Sequence, residues 1–216
     1  MARKMSINMK AHDFKFSRKW FLNRNLPTFR DHLFPLLEPK IREQEPITYL
    51  ELGVFEGMSM VWMLQHVISK CEESRAVGID PWLMTTKLDN VKMENVRASA
   101  AYNVSPWSPK VKLIRGCSCE VLRRMCGRGG YEGIGKRTVD VSMIDGNHFD
   151  YAVIDDVRHV IPLVKKGGII LFDDVENDKP KANHVKQGIQ AWLELDKPPV
   201  KQIFKHRYVE AYQVTE

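Results

Sequence analysis

The sequence lacks an apolar run close to the ~20 residues that span a bilayer, and residues 1–10 contain no apolar block typical of a signal peptide. Its four cysteines form no C-x-x-C pair, which argues against a zinc site and predicts reduced thiols. We therefore expect a cytoplasmic protein that does not enter a membrane. Hydrophobic residues make up 44% of the 216 positions, enough for one substantial core.

Two nucleotide-binding motifs are also missing. The glycines at positions 53 and 57 stand four apart with bulky residues between them, so the G-x-G-x-x-G pattern of dinucleotide sites is absent. The run Gly130–Lys136 (G-Y-E-G-I-G-K) approaches a phosphate loop, but residue 137 is Arg where a magnesium-binding hydroxyl is required. We interpret this run as a flexible connection that enters a strand at its N-terminal end.

The positive charge lies almost entirely at the start of the chain. Residues 1–40 contain nine Lys or Arg and three acids, which accounts for the net charge of +6 of the whole chain. Any electrostatic attraction to nucleic acid, anionic lipid or an acidic substrate would come from this segment.

Residues 14–25 interleave basic and aromatic side chains, a composition found in grooves that bind single-stranded nucleic acid. The interpretation we favour is an amphipathic segment in which Phe16, Trp20, Phe21 and Leu22 pack on the domain while the basic groups stay in water. A helix is predicted over Thr28–Leu37, ending near Pro39.

The chain is organised around Tyr49–Ser59, Y-L-E-L-G-V-F-E-G-M-S. A β-prone run gives way at two glycines to apolar residues with helical period, which predicts a strand, a tight turn and a helix. In open α/β sheets ligands bind at the carboxyl ends of the strands, where a glycine turn lets backbone N–H groups approach a nucleotide. The alternative is that the glycines only permit close packing of helix and strand.

Acidic residues follow the later strands. Asp80 ends the predicted strand 76–80, Asp145 ends the strand 139–145, and Asp173 and Asp174 follow the strand 169–172. The carboxyl ends of neighbouring parallel strands lie at one edge of the sheet, so these carboxylates would repel one another unless a cation shares them. Oxygen ligands of this kind suit Mg²⁺. Asp173 and Asp174 can both face a metal only if their strand has already ended, because consecutive strand residues point to opposite faces.

Other helices and strands are predicted from the hydrophobic periodicity of the sequence and from residues that break it, such as glycine and proline. They are helices over 87–102, 118–125, 151–166 and 185–194, a strand over 110–116, and a terminal strand pair over 200–205 and 208–214. Gly167 and Gly168 are interpreted as the stop of the helix 151–166.

The ordered set E-x-G-x-x-x-G-x-S (51–59), G-I-D (78–80), I-D-G-x-H (144–148) and G-G-x-x-x-x-D-D (167–174) resembles the class I S-adenosylmethionine-dependent methyltransferases. The resemblance implies a Rossmann-like, doubly wound α/β fold with a seven-stranded sheet, mostly parallel with an antiparallel last strand, and helices on both faces. It also implies an S-adenosylmethionine site formed by Glu51, Gly53, Gly57, Ser59, Asp80, Pro81, Trp82, Gly116, Cys117, Ser118 and Asp145.

Within that class the sequence is similar to the metal-dependent O-methyltransferases of the catechol and antibiotic-sugar types. The resemblance implies that Asp145, Asp173 and Asp174 hold Mg²⁺ or another divalent cation. His148 takes the place of the catalytic lysine of the catechol type, so Asp145 and His148 are the expected catalytic residues and His148 the candidate base. An anchored loop and an ordinary loop histidine are the alternatives.

We therefore expect a metal-assisted O-methyltransferase that acts on a hydroxyl of a small molecule or sugar. A nucleic-acid-directed methyltransferase and a non-catalytic binding protein of the same fold stay as alternatives, and a homodimer is left open. Residues 1–45 are predicted to form a basic lead-in and residues 46–216 the methyltransferase domain. The polar segment 176–186 is placed to line the acceptor pocket, with His184 and Lys186 as contacts, or is a solvated loop.

Overall fold

The computed structural model describes residues 5–83, 92–175 and 184–216. Its strands are β1 (Thr48–Leu52), β2 (Arg75–Asp80), β3 (Val111–Arg115), β4 (Val139–Ile144), β5 (Val164–Phe172), β6 (Val200–His206) and β7 (Val209–Val214). They form one seven-stranded sheet in the order β3-β2-β1-β4-β5-β7-β6. Strands β1 to β5 pair in parallel, and β7 runs antiparallel to both β5 and β6. The predicted fold class is thus confirmed.

The helices cover both faces of this sheet. They are α1 (Trp20–Arg24), α2 (Leu26–Thr28), α3 (Phe34–Arg42), α4 (Met58–His66), α5 (Met93–Val104), α6 (Ser118–Cys126), α7 (Asp150–Val160) and α8 (His184–Asp196). Because side chains alternate along a strand, Tyr49 packs under α4 and the N-terminal segment, whereas Leu50 and Leu52 pack under α6 and α7. None of the helices within the described ranges has the length and hydrophobicity needed to cross a bilayer.

The strand order places a topological switch at β1. The chain leaves β1 for β2 and β3 on one side, then returns to β4 and β5 on the other. In open α/β sheets the crevice outside such a switch point, at the carboxyl ends of the strands, is where ligands bind. The turns that follow β1, β2, β4 and β5 therefore meet at one place.

The predicted end of the first long helix is wrong. The helical backbone runs from Leu26 to Arg42, with a π-helical stretch at Phe29–Leu33 and Pro39 inside α3. A proline removes one N–H donor, and in an α-helix the acceptor that loses it lies four residues earlier, at Pro35. The helix therefore continues past the lost bond and ends beyond it, where Glu43 N–H donates to the carbonyl of Pro39.

The predicted helix over 151–166 is also too long. Helix α7 ends at Val160, and β5 begins at Val164 after a short 3₁₀ turn, so Gly167 and Gly168 lie inside the strand. The register with β4 shifts there, from Val139 opposite Val164 to Val141 opposite Ile169. Gly167 has φ +79°. The glycines thus form a bulge that a residue with a Cβ would strain.

The N-terminal segment packs on the sheet much as predicted. Phe14 and Phe21 are buried, and Phe16 and Leu22 are partly buried against the same core, which confirms the amphipathic interpretation for them. Trp20 is the exception, since 45% of its surface is exposed. The division of the chain at residue 45 stays a prediction.

Two expectations fall partly outside the described residues. The predicted helix over 87–102 begins at Met93 in the structure, and residues 87–91 lie beyond the described ranges. The same holds for residues 176–183 of the segment predicted to line the acceptor pocket.

Candidate active site

A cavity of about 590 Å³ opens at the switch point, bordered by the turns after β1, β2, β3, β4 and β5 and by the N-terminal segment. Ten of the predicted site residues line it: Gly53, Ser59, Asp80, Pro81, Cys117, Ser118, Asp145, His148, Asp173 and Asp174. Residues on five separate turns are therefore brought to one concave surface. Its volume lies within the ~300–1,000 Å³ typical of small-molecule sites.

The glycine turn after β1 is shaped by close backbone contacts. Gly53 has φ +83°, and a Cβ there would lie 1.8 Å from the carbonyl oxygen of Asp145. Its N–H donates to the carbonyl of Ile79 at 2.9 Å. Gly57 has φ +78° and precedes the first residue of α4, and it lies outside the cavity lining. Glycine at position 53 thus lets the β1 and β4 turns touch.

Glu51 lies beneath this turn and does not reach the cavity. It is fully buried, and its Oε1 accepts a hydrogen bond from Ser59 Oγ, whereas Oε2 has no partner among the described residues. Burial raises the pKa of Glu51 to about 8, and the nearby charges of Asp80 and Asp173 act in the same direction. Glu51 is therefore a neutral acid near pH 7.

Asp80, at the end of β2, is held by backbone donors. Its Oδ2 accepts from Phe55 N–H at 2.9 Å and its Oδ1 from Trp82 N–H at 2.6 Å. Burial raises the pKa of Asp80. Trp82 itself is 2% exposed and donates its indole N–H to the carbonyl of Phe55. Trp82 thus lies behind the cavity wall and braces the loop that positions Asp80.

The turn after β3 supplies a further part of the wall. Cys117 and Ser118 line the cavity, while Gly116 lies outside the lining and donates its N–H to the carbonyl of Asp80. The thiol of Cys117 lies 3.0 Å from that of Cys119.

Asp145, His148 and Asp174 form a compact cluster of donor atoms. One ligand atom from each residue lies within 4.8 Å of the other two. His148 Nε2 is 3.5 Å from both Asp145 Oδ1 and Asp174 Oδ2. Because β5 ends at Phe172, Asp174 lies beyond the strand, with φ +55°. The geometric condition for a metal-facing carboxylate at this position is met.

Asp173 also lies beyond the strand but is engaged elsewhere. Its Oδ2 accepts from Asn25 Nδ2 at 2.5 Å, and its Oδ1 accepts from the N–H of Asp174 at 2.8 Å. It is not part of the cluster of Asp145, His148 and Asp174. Of the aspartate pair, Asp174 is therefore the one presented to a shared ligand.

The electrostatics of the cluster favour a cation. Burial, and then the charge of Asp174, raise the pKa of Asp145 well above its usual range. Burial and the charges of Asp145 and Asp174 do the same for the pKa of Asp173. Carboxylates and one imidazole are a donor set for Mg²⁺ or a slightly softer divalent ion such as Mn²⁺. The residues present thus fit a divalent metal.

Sequence reasoning missed the contribution of the N-terminal segment to this cavity. Arg18, Trp20, Phe21, Arg24 and Asn25 all line it. The interleaved basic and aromatic residues were the available signal, but they gave no indication of which turns they contact. Phe55, Met58, Leu83, Met93, Gly146 and Asn147 were also missed.

The comparisons agree with this geometry. Residues 50–175, more than half of the chain, match the model of a family described as a methyltransferase domain. An uncharacterized protein of Acanthamoeba polyphaga mimivirus is 28% identical over 158 residues, which cover 69% of this chain. The match spans 63% of the length of that viral relative.

Among solved structures, the O-methyltransferase TomG of Streptomyces achromogenes, involved in tomaymycin synthesis and crystallised with S-adenosylmethionine, is 19% identical with a TM-score of 0.60. The match covers 85% of this chain and 80% of TomG. CalS11, a TDP-rhamnose 3′-O-methyltransferase of calicheamicin biosynthesis, is 17% identical with a TM-score of 0.55 over 91% of this chain and 86% of its own. At these identities the likeness shows a shared fold. The family match confirms the recognition of a methyltransferase, and the chain belongs to the methyltransferase domain family.

Proposed function

We propose that this enzyme transfers a methyl group from S-adenosylmethionine to a hydroxyl of a small molecule or sugar, with the help of a divalent cation. The proposal rests on one observation. A single cavity contains the glycine turn and Asp80 together with the cluster of Asp145, His148 and Asp174. A donor bound at the first part would lie next to an acceptor bound at the second. The O-methyltransferases of similar fold support this choice of acceptor atom.

The cofactor would occupy the side of the cavity formed by the turns after β1, β2 and β3. Both oxygens of Asp80 accept backbone N–H groups, and a carboxylate offers enough lone pairs to accept from a ribose hydroxyl as well. Cys117 and Ser118 are in position to border the adenine, and Gly53 and Ser59 to border the methionine part. Holding donor and acceptor in line can lower the barrier by ~7–11 kcal/mol.

The acceptor would occupy the side that carries Asp145 and Asp174, the carboxylates that would hold the metal. A divalent cation bound there would supply a Lewis acid that favours ionisation of the acceptor hydroxyl. His148 Nε2 lies 3.5 Å from a carboxylate oxygen of each of these two aspartates. We assign His148 the removal of the hydroxyl proton.

Calorimetric titration tests the proposal. Wild-type protein is titrated with S-adenosylmethionine and S-adenosylhomocysteine, each with Mg²⁺ and with a chelator. We expect both compounds to bind to wild type. D145N should bind S-adenosylhomocysteine but lose turnover. The control D155N, altered on the exposed side of α7, should behave as wild type. Failure of wild type to bind either compound would remove the basis of the proposal.

The role of His148 is tested separately. If the imidazole removes a proton, H148A loses turnover while its affinity for Mn²⁺, followed by paramagnetic relaxation of water, stays unchanged. A large loss of Mn²⁺ affinity would instead make the imidazole a metal ligand. Bound S-adenosylhomocysteine without turnover on any acceptor would favour a non-catalytic binding protein. Cytoplasmic location and a homodimer stay predictions.

A further inference from the structure

Arg24 lines the cavity, and one contact with Asp174 uses only part of the hydrogen-bonding capacity of its guanidinium. One of its N–H groups contacts Asp174 Oδ1 at 3.3 Å, a long contact at a single oxygen. Its guanidinium carbon lies 4.9 Å from the centre of the Tyr208 ring. The side chain is 40% exposed, and its other N–H groups have no partner in the described part of the chain. The ring of Tyr208 thus helps to fix the plane of the Arg24 guanidinium. The remaining N–H donors of this guanidinium can bind a ligand.

Arg18 is a second cation on the same wall. Its side chain is exposed and lines the cavity, with its guanidinium carbon 6.0 Å from the centre of the Trp20 ring. No carboxylate among the described residues pairs with it. Arginines six positions apart on one segment therefore bring two positive charges to the open side of the cavity.

The other ionisable side chains of the described lining are His148, the thiol of Cys117 and a set of carboxyl groups. The carboxyl groups described there belong to Glu56, Asp80, Asp145, Asp173 and Asp174, and Arg18 and Arg24 are the only lining arginines or lysines in the described ranges. A ligand oxyanion would therefore be attracted to the N-terminal wall, where both arginines of the described lining lie. Arg24 is also the cation that touches the acceptor side, through Asp174.

Building on the proposed function, we propose that the methyl acceptor carries an oxyanion, a phosphate ester or a carboxylate, and that Arg24 binds it. The planar guanidinium can donate two parallel hydrogen bonds to either group. This contact would place a hydroxyl on the same acceptor next to Asp145, His148 and Asp174. Arg18 supplies a second contact to the same group. Arg24 is thereby assigned as the residue that selects anionic acceptors over neutral ones.

The test uses three related probes and does not require turnover. Full-length protein saturated with S-adenosylhomocysteine is titrated with glucose, glucose 1-phosphate and glucuronate in the presence of a chelator. We expect one or both anionic probes to bind about tenfold tighter than glucose or better, and the preferred anion identifies the phosphate or the carboxylate as the recognised group. R24Q should lose this preference, and R24K should keep part of it.

Arg30 offers a matched control, because it lies on the same N-terminal segment, pairs with Asp31 and does not line the cavity. R30Q should keep the preference for anions. Equal binding of the three probes to wild type, or an unchanged preference in R24Q, would overturn the assignment. Loss of S-adenosylhomocysteine binding in both R24Q and R24K would overturn it as well, since Arg24 would then serve the cofactor or the fold. Failure of wild type to bind S-adenosylhomocysteine counts against the proposed function instead.

Discussion

Two buried carboxyl groups on neighbouring strands have opposite protonation states. Glu51 on β1 accepts a hydrogen bond from Ser59 Oγ, and burial keeps its pKa high. Burial also disfavours the charge of Asp140 on β4, but hydrogen bonds from Lys165 at 2.7 Å and Lys40 at 2.8 Å outweigh it and lower the pKa of Asp140. Burial alone therefore does not decide the charge of an acid, because the partners within hydrogen-bonding distance do.

The protonation of Glu51 predicts a pH-dependent stability difference. Its pKa rises from the usual 4.5 in the unfolded chain to about 8 in the folded protein, so folded protein binds the extra proton between these values. As the pH rises from 4.5 to about 8, this group should lower the free energy of unfolding by up to ~1.4 kcal/mol per pH unit. E51Q removes this term and keeps an acceptor for Ser59.

Urea unfolding at pH 5 and pH 8, with a chelator present, measures the effect. The unfolding free energy of E51Q minus that of wild type should increase by roughly 1 to 4 kcal/mol from the lower to the higher pH. The exposed control E194Q should show no such change. An E51Q difference that is the same at both pH values would mean that Glu51 is ionised in the folded protein.

At the level of elements, the turn after β1 and the β5 bulge both depend on glycines. The sequence shows where these glycines are but not which distant residues they contact or pair with. The turn was predicted from the change of period at Gly53, yet its required contact is with the carbonyl of Asp145, 92 positions along the chain. The pair Gly167 and Gly168 was assigned to a helix end because two glycines commonly stop helices. The pairing of β4 with β5 made them a bulge instead.

Comparison of two alanine variants tests the steric part of this explanation. G53A combines φ +83° with a Cβ placed 1.8 Å from a backbone oxygen, so we expect a loss of more than ~3 kcal/mol in unfolding free energy and weakened S-adenosylhomocysteine binding. G129A has φ +93° but no atom within 4 Å of the new Cβ, and should cost only about 1 kcal/mol. Similar losses in chemical denaturation for both variants would show that the backbone angle, and not the contact with the β4 turn, dominates.

In the whole molecule, the N-terminal segment is part of the main core. Phe29 is fully buried, with its ring 5.0 Å from Phe21 and 5.4 Å from Trp62 in edge-to-face arrangements. Leu33 and Leu37 belong to the same cluster, which also contains Tyr49 of β1. The segment that lines part of the cavity is therefore anchored through the core that covers one face of the sheet.

Removing that anchor should affect stability throughout the molecule. F29A is expected to lower the unfolding free energy by about 3–5 kcal/mol, as large-to-small changes in closed cores do. L195A, at a leucine of α8 that is 70% exposed, should change it by less than about 0.5 kcal/mol. Thermal and urea unfolding of the full chain measure both. A small loss in F29A would mean that residues before 45 pack loosely on the domain.

The sequence predicted much of the fold and of the cavity lining because those signals are local. Alternating and helical periods located the strands, and the glycines and acids at strand ends marked Gly53, Asp80, Asp145 and Asp174. Parallel pairing then brought these ends to one edge, as expected. The boundaries at Pro39 and at the bulge were wrong because strand pairing and packing override local stop signals.

The sequence by itself determined the order of the elements and which residue types gather at the cavity, since both follow from periodicity and from the common direction of the strands. Only the tertiary structure decided that Arg24 and Asn25 reach Asp174 and Asp173, about 150 positions away. It also decided that Glu51 is neutral and Asp140 charged. Contacts between distant residues and the dielectric around a buried group depend on the folded chain as a whole, so no local pattern encodes them.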